Sequence, residues 1–109
     1  MNGSAEARAA WDRLAGELEA SDASISRSTM MGLPCLRRDG AFFASFDKRD
    51  GSLVVKLAAD DVAARVADGR GRSFAPAGRV FREWIAIDAV DEDTWRAALD
   101  DALAFARSR

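Results

Sequence analysis

The chain has 109 residues, 49% of them hydrophobic and 31% charged, with a formal net charge of -2 at pH 7. That length builds one domain around one core; the composition excludes a disordered chain, and the near-balanced charge argues against a strongly basic nucleic-acid binder, leaving room only for a local basic face. Histidine is absent and cysteine occurs once, at Cys35, which removes the commonest general base, an internal disulfide and a thiolate metal site.

Ser4 can cap a first helix with Glu6 in its first turn, and Ala7, Trp11, Leu14 and Leu18 recur on one stripe of a helix running to about Ala20. Ser21 to Ser28, polar and serine-rich, reads as a linker. A first strand follows from Thr29 to Arg38, interrupted by Gly32 and Pro34. Pro34 has no amide hydrogen for a ladder, so this strand is expected at an edge or bulged. The turn dipeptides Asp39-Gly40 and Asp50-Gly51 then bound Ala41 to Phe46 and Leu53 to Leu57, completing a three-stranded antiparallel meander.

Both later strands are apolar at nearly every position, which predicts that parts of both sheet faces are covered, with the flanking helices as the cover. A short helix runs from Ala59 to Asp68, with Val62 and Val66 inward and Gly69 just past its end. Residues 69–79 read as irregular loop. Alternation of Phe81, Glu83, Ile85 and Ile87 with Arg82, Trp84, Ala86 and Asp88 marks a fourth strand. The final helix opens on Asp91, with Glu92 and Asp93 in its first turn, Val90 stapled onto Trp95, and Arg107 and Arg109 at its end. The predicted class is α+β, in the order α-β-β-β-α-β-α, with an antiparallel sheet packed with helices.

Met30-Met31-Gly32, the hairpin Asp39-Gly40 with Phe42-Phe43, Leu53-Val54-Val55-Lys56-Leu57, Gly69, Phe74 and Gly78-Arg79-Val80-Phe81-Arg82-Glu83-Trp84 together resemble the N-terminal domain of the TfoX/Sxy family. The YjbR/MmcQ domains share that layout. The resemblance runs from Leu14 to Ala106 and implies one domain of this type over residues 1–109. In that family the meander opens closer to Met-Phe-Gly-Gly, where this chain has Met30-Met31-Gly32-Leu33-Pro34, and the competence regulators carry a further helical domain. A competence role is therefore not carried over, since fold alone does not carry function. With no catalytic signature in the chain, the expected role is a binding or regulatory module.

Arg70, Arg72, Arg79 and Arg82 form one run of cations without an intervening carboxylate. Arginines on a glycine-containing loop can hold a phosphate, a nucleic acid or an acidic partner bidentately. The simpler reading is a solvated loop lying against Asp88, Asp91, Glu92, Asp93, Asp100 and Asp101. The nearby glycines match neither a phosphate-binding loop nor a dinucleotide fingerprint. Lys56, set in an apolar strand, can bind an anion or act as a nucleophile if burial lowers its pKa. It can also snorkel, with its ammonium near Glu83, and this fits better because no partners of a lysine active site are identifiable.

Cys35, beside Arg37 and Arg38, is either a reactive thiol or a small core residue, the latter being the commoner fate of an unpaired cysteine. Trp11 and Trp95 lie on helix stripes and read as core. Trp84 alternates away from Ile85 and is the candidate interface aromatic. The pairs Asp60-Asp61 and Asp100-Asp101 diverge by about 100° on their helices and share no acid/base or metal site. No metal or other cofactor is expected. With no signal-peptide layout and no run near the ~18 apolar residues of a membrane helix, the expected setting is cytoplasmic, without a membrane partner. A homodimer through the meander edge or Trp84 is the expected assembly. Nucleic-acid or anion binding through the arginines and Lys56 is the alternative, and an enzyme using Lys56 or Cys35 stands behind both.

Overall fold

The computed structural model describes residues 3–88 and 91–108, residues 3 and 4 by backbone alone. Ser4, expected as the cap, is already inside α1, which begins at Gly3, while the staple from Val90 and the placement of Arg109 fall outside the described residues. Along the chain come α1 (Gly3–Ser21), β1 (Ile25–Met30), β2 (Leu33–Arg38), β3 (Ala41–Asp47), β4 (Ser52–Lys56), α2 (Ala59–Ala67), β5 (Arg72–Phe74), a 3₁₀ turn (Pro76–Gly78), β6 (Phe81–Ile87) and α3 (Glu92–Arg107). The strands form one six-stranded antiparallel sheet in the order β1-β2-β3-β4-β6-β5. The fold is α+β, as the sequence predicts, with two more strands than expected.

The first of these lies in the supposed linker. Met31 (φ 54°) and Gly32 (φ 80°) are both left-handed, as are Asp39 (φ 49°) and Gly40 (φ 86°), so each pair closes a two-residue hairpin whose geometry follows the strand twist. The segment expected as one interrupted strand is therefore a hairpin, and β1, largely exposed serine, arginine and threonine, is the true edge. Pro34 stands in β2, an inner strand. In a two-residue hairpin the flanking pair Met30 and Leu33 exchanges the hydrogen bonds, so the next pair, Thr29 and Pro34, does not. The Pro34 nitrogen faces β3 instead, where pairing starts only at Cys35 and no ladder bond is lost.

Leu36 pairs with Ala44 and Arg37 with Phe42, so Phe43 is an extra residue bulged from β3. The bulge turns Phe43 into the same core as Ala44, while Phe42 lies beneath the Arg37 guanidinium, 4.4 Å from its ring centroid. Part of what reads as two covered faces is thus a bulge. The helices cover a single face: α3 lies over β3 and β4, α1 over β1 and beside α3, and α2 over β6 and β5. The core joins Trp11, Leu14, Trp95 and Leu99 to Leu36, Phe46, Leu53, Val55, Ile85 and Ile87, strand positions of one alternating set. Phe46 sits at its centre, 6.1 Å from the Trp11 ring and 6.4 Å from the Trp95 ring.

α2 ends where Gly69 N–H donates to the Val66 carbonyl and Arg70 N–H to the Arg65 carbonyl, the paired bonds of a Schellman motif. Past it, the expected irregular loop contains β5. Gly71 runs so close to β6 that a Cβ there would stand 2.7 Å from Ile85 Cδ1 and 2.9 Å from the Ala86 carbonyl oxygen. Asp91 caps α3 by accepting from the Asp93 amide at 3.1 Å. Among the described residues no helix is long and apolar enough to cross a membrane.

Candidate functional site

Alternation puts Ser45, Val54 and Ala86 on the helix-free side of the sheet, paired across β3, β4 and β6, and all three are buried. Over Ser45 and Val54 runs a groove of about 370 Å³. At one end stand Met30, Met31 and Leu33 of the β1–β2 hairpin, with Lys48 and Arg49 from the β3–β4 turn. At the other stand Phe74, Pro76, Phe81 and Trp84. The Phe74 and Phe81 rings are 6.0 Å apart, and the Arg79 guanidinium lies 5.7 Å from the Phe81 centroid. Met31 is 92% exposed, an apolar side chain held at the groove mouth with almost no packing of its own.

The polar groups along this surface are matched, with one exception. Ser45 Oγ donates to the Pro34 carbonyl at 3.0 Å, so the floor leaves no hydroxyl unsatisfied. The buried Asp47 carboxylate accepts from Arg49 Nε at 2.9 Å, from its second guanidinium nitrogen at 2.8 Å and from its amide at 3.1 Å. Those bonds hold the Asp47 carboxyl below its usual range and neutralise Arg49. Lys48 makes no ion pair among the described residues, and no carboxylate stands in the groove lining.

Neither a protein-family model, a curated protein nor a solved structure matches this chain.

The arginine segment is divided by the fold. Arg72 spans three elements: it donates to both Asp88 oxygens at 2.8 Å and to Asp50 at 2.6 Å, which ties β5 to the end of β6 and to the β3–β4 turn. These bonds raise its pKa further above the usual arginine value. Arg70 pairs with Asp68 at 3.2 Å. Arg70 and Arg72 share a cleft beside α3 with Arg65, itself held by Asp61 and Asp101, whereas Arg79 lies on Phe81 and Arg82 is exposed at the start of β6. Lys56 pairs in register with Trp84, and its ammonium is 3.9 Å from Glu83.

Cys35 is 1% exposed, and burial pushes its thiol up, against the thiolate that nucleophilic chemistry needs. Trp84 is half-buried in the groove wall and is not a freely projecting aromatic. Among the described residues no group of three or more acidic, cysteine or histidine side chains could hold a metal ion. The groove residues Met31, Val54, Phe74 and Phe81 escape a reading by sequence. Val54 and Trp84 do share one strand parity, but the meeting of the two ends depends on strand order and on β5, which carries no strand signal of its own.

Proposed function

We propose that this chain is a small cytoplasmic binding or regulatory module of the TfoX N-terminal type, non-enzymatic, which works by accepting an apolar group in the groove on the helix-free face of its sheet. The observation that carries the reading is a preformed apolar depression, floored by buried residues and walled by aromatic and methionine side chains, the usual make-up of a ligand site. Support comes also from Met30, Met31, Gly32, Phe74, Phe81 and Trp84, which belong to the segments carrying the family resemblance and all line this groove. The test uses tryptophan. Trp11 and Trp95 are fully buried, so acrylamide quenches Trp84 selectively. Fragments that occupy the groove are expected to shield Trp84 and to raise Tm by mass action, and the Tm shift is expected to shrink in Trp84→Ala. Shifts of undiminished size in that variant would sink the reading.

Nucleic-acid or anion binding by Arg70, Arg72, Arg79, Arg82 and Lys56 has narrower support, because Asp68, Asp50 and Asp88 already neutralise Arg70 and Arg72. That alternative requires affinity for nucleic acid falling steeply with salt.

A further inference from the structure

Resting on the reading of the groove as the binding site, we infer that its ligand is a small amphiphilic organic anion: an aromatic or aliphatic body with a single carboxylate or sulfonate head. The body is recognised by Phe74, Phe81 and Trp84, whose ring faces and edges, with the polarizable sulfur of Met30 and Met31 opposite, suit an apolar and especially an aromatic skeleton. The head is recognised by Lys48. Arg49 is consumed by Asp47, and among the described residues no carboxylate lines the groove, so that lining presents one uncompensated positive charge, Lys48, at the end away from the aromatic cluster. The volume of about 370 Å³ lies at the lower end of the roughly 300–1,000 Å³ typical of small-molecule sites.

Charge also decides against a second copy of the chain as occupant. A two-fold pairing over this groove brings an end of one copy against an end of the other, and both ends carry a cation, Lys48 at one and Arg79 on Phe81 at the other, so like charges meet across it.

The test compares two fluorescent probes with nearly the same body, anilinonaphthalene sulfonate and the neutral N-phenylnaphthylamine. Both are expected to bind with unit stoichiometry, the anion about three- to fivefold more tightly at low salt, an advantage the size of one exposed ion pair. Lys48 is exposed, so Lys48→Ala folds as the parent does, and it is expected to bring the two probes level. Trp84→Ala is expected to weaken both probes about tenfold, as loss of a binding-site aromatic does; Trp84→Leu serves if the alanine variant loses its near-ultraviolet dichroism. Equal binding of the two probes, or a preference that survives Lys48→Ala, overturns the anionic ligand while leaving the groove as a binding site. Failure of both probes, or binding untouched by the Trp84 variants, overturns the groove as well. A dimer in sedimentation that the Trp84 variants dissociate puts a second copy in the groove and also overturns the inference.

Discussion

At the scale of single residues, Met31 combines a left-handed backbone with almost no packing. A side chain with a Cβ at φ 54° is disfavoured by about 1–2 kcal/mol, and the equivalent position of the next hairpin carries Asp39, a residue that tolerates this region. Local strain retained beside a ligand-sized groove is the pattern of a functional position. Met31→Asn is therefore expected to stabilise the fold by about 0.5–1 kcal/mol, read as a higher urea midpoint, while weakening groove ligands. Four carboxylates among the described residues, Asp22, Asp47, Asp88 and Glu92, are held below their usual range and contribute to the acid limit. Asp22 accepts from Ser24 Oγ at 2.7 Å, from the Ser24 amide at 2.9 Å and from Arg107 at 2.5 Å, which brings its pKa from 3.8 down to about 2. Asp47 is lowered chiefly by its bonds from Arg49. A folded pKa below the unfolded one contributes stability that is complete above the unfolded value and is lost as pH falls through the folded one. Denaturation midpoints are thus expected to fall from about pH 4 downward, and to fall less in Asp22→Asn. An unchanged acid profile in that variant would show that Asp22 is not linked to folding.

At the scale of elements, the paired edge strand β5 depends on Gly71. An alanine there meets the Ala86 carbonyl oxygen, which is backbone and cannot swing aside, as well as the Ile85 side chain. Gly71→Ala is expected to destabilise by about 1–2 kcal/mol despite the smaller entropy loss of alanine, and to speed amide exchange in β5 ahead of the central strands. Elements with their own local chemistry were legible from the chain. The bounds of β6, the Asp91 cap, the Asp39-Gly40 turn and α2 with Gly69 all follow from a period, a cap or a turn dipeptide. β1 and β5 were not legible, because an edge strand pairs on one side only and can be built largely of serine, arginine and threonine without an apolar rhythm. Met31-Gly32 was missed for a related reason: methionine carries no turn signal.

At the scale of the whole molecule, Phe46 joins both long helices to the sheet through Trp11 and Trp95. Phe46→Ala is expected to cost about 3–5 kcal/mol in urea denaturation and to shift the emission of the buried tryptophans to the red. The ion pairs that also link α1 to α3, Arg13 with Glu92 and Arg96 with Glu17, are exposed and contribute little beside that core. By itself the sequence determined the class, the turns at Asp39-Gly40 and Asp50-Gly51, the helices and the apolar set that forms the core, because these depend on spacing along the chain. It also determined that no histidine and only one thiol were available for chemistry. Only the tertiary structure decided which sheet face stays open, that Arg72 is spent on holding three elements together, and that Met31, Lys48 and Trp84 share one groove. Those facts depend on strand order and on two breaks in register, at Phe43 in β3 and between Ser73 and Phe74 in β5, which bring together residues far apart in the chain.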